Sequence, residues 1–154
     1  MRLSTYLRAD LVVHGLLASN TTDALSKISV FLEEGGFVPS GAEVFQALNA
    51  REETHTTALG EGVAVPHAVV PTLQEMLLLV ATAADPIPFG PPDSDPVDLL
   101  FTLLSPPGRE AEHIRLLARI CRLVRHPGFM DGLRAASSAE QLYEVLLAED
   151  SQHV

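Results

Sequence analysis

The chain has no tryptophan and only 5 % aromatic residues, while hydrophobic residues of all kinds reach 47 %. A packed core is expected, and it has to be built from aliphatic side chains. Cysteine is nearly absent. Cys121 stands alone, so no intrachain disulfide can form, and a reducing cytoplasm is the natural setting. It falls in an apolar helical pattern, where an inert core thiol is expected. Positive charge is scarce as well. Lys and Arg number 10 against 20 Asp and Glu, for a formal net charge of −10, and Lys27 is the sole lysine. That balance argues against non-specific binding to nucleic acid or to an anionic membrane, and favours a basic protein partner. No apolar run approaches the roughly 18 residues that would suggest a membrane span. The stretch Met1 to Arg8, broken by Ser4 and Thr5, lacks the apolar centre of a signal peptide. Internal repeats and low-complexity segments are missing too.

What the chain has is an alternation of strand and helix patterns. Leu11 to His14 reads as a short strand or an extended lead-in. Thr21, Thr22 and Asp23 offer N-cap groups to a helix with Leu25, Ile28, Phe31 and Leu32 at helical spacing, stopped by Gly35 and Gly36. Ser40 with Glu43 forms a capping-box pattern for a second helix, whose inner face is Val44 and Leu48 and whose end falls close to Arg51. Met76–Thr82 is a continuous apolar run of the kind that forms a strand buried on both faces, and Val97–Leu104 reads as another core strand. Between them, Pro86 to Pro96 holds five prolines and reads as a loop inside the domain, with room for a short edge strand at Ile87–Phe89.

A helix is expected from about Glu110 to Arg125, with an apolar stripe of Ile114, Leu117, Ile120, Cys121 and Val124. A short helix around Phe129–Leu133 follows, then a last one opened by Ser137 and Glu140. The expectation is a single α/β domain over residues 1–154, with its core at about 10–148. It should have a mixed parallel/antiparallel sheet of about five strands flanked by helices on both faces.

The chemistry concentrates in Arg51–Ala68. Gly60 and Gly62 bracket a tight turn, Val63, Ala64 and Val65 read as a strand, and Pro66 stops it. His67 follows at the strand's exit, beside a loop that can turn backbone N–H groups toward an anion. A histidine so placed can serve as nucleophile, general base or metal ligand. His113 stands in the first turn of the third long helix, where anions are attracted. Arg51 offers a planar fork suited to phosphate. Thr57 and Gly60 are candidates for shaping an anion cradle. A zinc site made of His55, His67 and His113 is a competing reading, although no HxH or HExxH spacing supports it. His14, His126 and His153 have no assigned role.

Gly60-Glu61-Gly62-Val63-Ala64-Val65-Pro66-His67-Ala68, preceded by Arg51-Glu52, resembles the phosphorylation-site signature of the type-2 IIA proteins of the bacterial phosphotransferase system, with Ala68 where glycine is commoner. Pro96–Leu104, Glu112-His113-Ile114 and Leu133–Tyr143 resemble the nitrogen-regulatory branch, so the likeness runs from about residue 10 to residue 148. The resemblance implies that His67 accepts a phosphoryl group on Nε2, with His113 and Arg51 as its stabilising partners and Thr57, Gly60 and Gly62 as support. It implies no cofactor and no metal. It implies a histidine phosphocarrier protein as donor, and a regulated target protein or a IIB domain downstream. A chain without attached transport domains points to the regulatory use, in the cytoplasm.

Overall fold

The computed structural model describes residues 1–153. Six strands form one mixed sheet: β1 (Val12–Leu16), β2 (Ala58–Gly60), β3 (Val63–Ala64), β4 (His67–Val69), β5 (Leu77–Ile87) and β6 (Val97–Ser105). Five α-helices accompany them: α1 (Thr21–Glu34), α2 (Gly41–Thr54), α3 (Glu110–Leu123), α4 (Pro127–Ala135) and α5 (Ala139–Gln152). The strand order is β1-β5-β6-β3-β2, and β4 also pairs with β6.

The α/β class, the mixed sheet and the helices on both faces agree with the expectation. The strand count is six where about five were expected. Two strands go beyond the expected set, β2 and β4, and the second comes from the segment around Pro66. Proline ends β3 because it has no N–H to give, but its carbonyl still accepts the Leu103 amide at 2.9 Å. The chain therefore stays against β6 and resumes as β4, in parallel register with His67 opposite Leu103. Ile87 is no separate edge strand. It ends β5, opposite Val97.

β6 is the middle of the structure. It pairs antiparallel with β5, and parallel with β3 and β4 on its other edge. Side chains alternate across it. Leu99, Phe101 and Leu103 join Leu78 and Val80 in a cluster covered by α3, α4 and α5, with Leu116, Ile120, Phe129, Leu133, Leu142 and Leu146 fully buried. Leu100 and Leu104 join Leu79 and Ala81 in a second cluster, under Leu25, Ile28 and Leu32 of α1 and Val44 and Leu48 of α2. Each such aliphatic side chain contributes about 1.5–3 kcal/mol when removed from water.

Local signals set the helix ends, some of them a residue or more from where the pattern suggested. Asn20, not the Thr21–Asp23 group, caps α1, its side chain accepting the Asp23 amide at 2.8 Å. At the other end Phe37 N–H reaches the Leu32 carbonyl and Gly36 N–H reaches that of Glu33. This Schellman closure needs a residue at positive φ, and Gly36 supplies 76°. Ser40 caps α2, accepting from Glu43 N–H at 3.2 Å, but Glu43 turns its carboxylate to Thr72 and does not close the box. Helix α2 runs on to Thr54, which places Arg51 inside its last turn. Ser138 rather than Ser137 caps α5.

The inner face of α3 also differs from the expected stripe. Ile114 is 65 % exposed and Cys121 is only partly buried, while Leu116, Ile120 and Leu123 are fully buried. Arg119 is buried as well, and forms an ion pair with Asp150 of α5 at 2.9 Å. Asp150 also accepts the backbone N–H groups of Leu3 and Ser4. Burial pushes its carboxyl pKa up, but these two amides and the guanidinium outweigh that and hold it below the usual 3.8. The pair thus ties the N-terminal segment and α3 to α5. Tyr6 adds a second tie by donating its hydroxyl to Glu112 at 2.5 Å, with Arg109 on the same carboxylate at 2.9 Å. Burial and the Glu112 carboxylate push the tyrosine pKa up to about 12. These contacts fix the first turn of α3, from which His113 projects.

Candidate active site

His67 is half-buried at the start of β4. Its Nδ1 lies 2.8 Å from the carbonyl oxygen of Val65, two residues back. A carbonyl can only accept, so Nδ1 carries the proton and Nε2 keeps its lone pair. The sequence Val-Pro-His produces this geometry itself. Pro66 fixes the turn of the backbone between the acceptor and the ring, and its carbonyl anchors the turn to Leu103. Burial lowers the imidazole pKa below 6.5. The Val65 carbonyl pulls it back up, the charge of Arg51 lowers it, and Glu52 raises it, with a net depression. The ring is therefore neutral near pH 7, with an unprotonated nitrogen available for attack.

His113 comes from the first turn of α3, which covers the face of the sheet that His67 shares with Leu103. Its ring centroid lies 5.4 Å from that of His67, with the planes tilted by 59°. Burial and then the proximity of His67 lower its pKa as well. Its Nδ1 is in contact with the hydroxyl of Ser105, the last residue of β6.

Arg51 lies close enough to His67 for its charge to act on the ring. Its Nη1 donates to the carbonyl of His55 at 2.9 Å and to the Thr54 hydroxyl at 3.3 Å. A guanidinium has five N–H donors, so these bonds orient the fork without exhausting it. Its place in the last turn of α2 also sets its charge favourably against the helix dipole.

Thr57 is at the site, but in a different role from the one expected. It is buried, and its hydroxyl and its backbone N–H both go to the carboxylate of Glu52, the amide at 2.8 Å. Its carbonyl accepts the Val65 amide at 3.0 Å. Thr57 therefore joins the end of α2 to the Val65–His67 turn, and its hydroxyl is already engaged.

Gly60 and Gly62 are not brought to His67. Val63 pairs with Leu99 and His67 with Leu103. Four residues of strand, roughly 13 Å at the usual rise, separate the two ends. The turn has three successive positive φ values, 88° at Gly60, 57° at Glu61 and 85° at Gly62. It is held by Arg134, which donates to the Glu61 carbonyl and pairs with Asp98 at 2.9 Å. A Cβ on Gly62 would lie 2.6 Å from Arg134 Nη2 and 2.7 Å from Asp98 Oδ1, so glycine is required there by shape. The cradle expected from this loop is a structural clamp.

His55 is exposed, with its Nδ1 on the Thr56 carbonyl, and does not join the two histidines. Among the described residues no group of three or more His, Cys, Asp or Glu side chains is arranged to hold a metal ion. Two residues of the site were not singled out from sequence. Glu52 was read only as part of the Arg51-Glu52 pair. Ser105 falls just past the strand expected at Val97–Leu104, although a polar residue ending that strand shortly before the candidate helix start is a usable signal.

The model of the family described as "Phosphoenolpyruvate-dependent sugar phosphotransferase system, EIIA 2" matches residues 5–149. The chain belongs to this family and is a phosphotransfer component of that system. The nitrogen regulatory protein of Bradyrhizobium diazoefficiens is 46 % identical to it over 103 residues, which is 67 % of each chain. The crystal structure of nitrogen regulatory protein IIA-Ntr from Neisseria meningitidis matches with a TM-score of 0.84 at 28 % identity, over 94 % of this chain and 98 % of that one. Escherichia coli enzyme IIAMTL, solved in complex with phosphorylated enzyme IIBMTL, shares the fold with a TM-score of 0.76 at 22 % identity, over 92 % of this chain and 97 % of that one. Among the described residues no helix is long and apolar enough to cross a membrane.

Proposed function

We propose that the chain carries a phosphoryl group on Nε2 of His67 and works in the regulatory branch of its family, its phosphorylation state acting as the signal. The observation that carries this reading is the Nδ1–H bond to the Val65 carbonyl, which leaves Nε2 as the nucleophilic nitrogen of a neutral ring. The phosphoryl donor is a phosphorylated histidine of a carrier protein. His67 Nε2 forms a P–N bond as the donor's P–N bond breaks, and the donor imidazole leaves with the electron pair. Arg51 and His113 meet the phosphoryl oxygens, and Glu52 with Thr57 holds the loop between them. Val69 and Ile114, both exposed, follow the two histidines closely in sequence and give a docking protein apolar surface beside the reacting atoms.

The regulatory use is supported by the likeness to nitrogen regulatory proteins. A transport use, with phosphate passed to a IIB domain, is the second reading, favoured by the sugar-system description of the family. The deciding measurement is incubation with a phosphorylated histidine phosphocarrier, followed by a search for acid-labile phosphate. Phosphate on His67 is expected. Phosphate on the His67→Ala variant at the wild-type rate would overturn the assignment.

A further inference from the structure

Two histidines stand 5.4 Å apart, and each has its Nδ1 held by a different kind of group. For His67 the group is a carbonyl, which has no proton to give. For His113 it is the hydroxyl of Ser105, which can donate or accept. Burial decides between the two. Ser105 is 1 % exposed, and the acceptor the structure offers its hydroxyl is Nδ1 of His113. If Nδ1 held the proton, the serine O–H would be left buried without an acceptor, which is costly. The hydroxyl therefore donates, and Nδ1 of His113 is the bare nitrogen.

We propose that Ser105 is a positioning residue that locks His113 in the Nε2–H tautomer, so that His113 presents a neutral N–H donor to the phosphoryl oxygens on His67. The proposal rests on the phosphohistidine reading of His67. The two rings then hold opposite tautomers: His67 offers a lone pair at Nε2 and His113 offers a proton at Nε2. The backbone keeps Ser105 in place, since its carbonyl accepts the Val70 amide at 2.9 Å and Val69 stands opposite it in register.

The groups facing His113 are few. His67 faces it from β4, and uncharged Ser105 from β6. On its own helix the neighbouring Glu112 is held by Tyr6 and Arg109. Arg51 and Glu52, on α2, act on His67. Once His113 takes up a second proton, both its nitrogens carry N–H and the direction of the Ser105 hydrogen bond ceases to matter. The help given by Ser105 must therefore depend on pH in a way that a packing role would not.

The test uses the full chain in two measurements. The first is ring-nitrogen NMR of wild type above the titration of His113. Nε2 is expected protonated and Nδ1 bare, with both moving toward tautomer-averaged shifts in Ser105→Ala. A protonated Nδ1 in wild type, or unchanged ring shifts in the variant, overturns the proposal. The second is the rate of phosphoryl uptake from a phosphorylated histidine carrier against pH. Ser105→Ala should be slower by about 3- to 10-fold where His113 is neutral, the range expected for one hydrogen bond. The deficit should close as pH falls through the His113 titration. No deficit, or an equal deficit at every pH, overturns the proposal. If Ser105→Ala does not fold, the wild-type tautomer decides. If wild type takes up no phosphate on His67, the phosphohistidine reading fails, while the NMR measurement still reports the Ser105–His113 lock.

Discussion

The segment from Ala58 to Val69 has a glycine-rich end and a proline-histidine end, and the two are finished in opposite ways. At the Gly60–Gly62 turn the chain supplies partners for the carbonyls of Glu61 and Gly62 and for the Arg134 and Asp98 side chains. Arg134 takes the Glu61 carbonyl and the Asp98 carboxylate, and the Gly62 carbonyl accepts the amides of both Asp98 and Leu99. At the Pro66–His67 end the backbone is equally well anchored, but reactive capacity is left over. Nε2 of His67 keeps a lone pair, and Arg51 has more donors than it uses. A stable turn and a reactive site can be made from similar short sequences. What separates them is whether the hydrogen bonding is completed within the chain or kept open for a ligand.

The sharpest way to test that contrast is to remove the reactive group alone. His67→Ala should abolish acid-labile phosphate, while its melting temperature stays near that of wild type, because the strand pairing of β4 uses backbone groups. Next is the fork beside it. Arg51→Ala should slow phosphoryl uptake on the order of tenfold to a hundredfold, the equivalent of one charge-assisted hydrogen bond. Arg51→Lys should recover only part of this, because a point charge cannot make the planar contact. Rates equal to wild type in both variants would remove Arg51 from the site.

The opposite end should show the opposite behaviour. Gly62→Ala forces a side chain into positive φ and against the Arg134–Asp98 pair. A loss of about 1–3 kcal/mol in denaturant unfolding is expected, with the phosphoryl uptake of the folded protein unchanged. A variant that folds stably yet transfers slowly would mean that the turn serves the chemistry after all. The smallest effect concerns pH. Burial and Arg51 keep His67 below 6.5, so the acceptor is already neutral at pH 7 and a rise to pH 8 should leave its uptake rate flat. The rate should fall only as pH drops through the lowered value, where Nε2 gains a proton and loses its lone pair. A rate that climbs steadily from pH 7 to 8 would show a different group in control.

Much of the fold was legible from periodicity. Strands β5 and β6 follow long, mostly apolar stretches whose buried threonines, Thr82 and Thr102, leave the pattern readable, and α1 is bounded by residues whose backbone preferences are strong. The site was legible for His67, where proline and histidine adjoin in sequence. It was less so for Thr57, because the partner of its hydroxyl, Glu52, sits on a helix whose end had been placed too early. The Gly60–Gly62 turn misled for a related reason. It is close to His67 in sequence but a strand's length away in space, and strand length is what a motif leaves out. Arg119 was hidden because its burial depends on Asp150, 31 residues later. Ile114 and Cys121 were assigned inward by hydrophobicity, while the packed face of α3 is rotated from them.

The bond from Leu103 N–H to the Pro66 carbonyl has a consequence for how the domain can breathe. Leu103 lies in the strand that joins both halves of the sheet, where amides exchange with solvent only through the largest openings. The turn that sets His67 is thereby fastened to the strand where the slowest exchange is expected. Deuterium uptake at Leu103 should be as slow as at Phe101 with or without phosphate. On the function proposed above, a partner that distinguishes the two states would read about two added negative charges on a rigid surface, and no refolded loop.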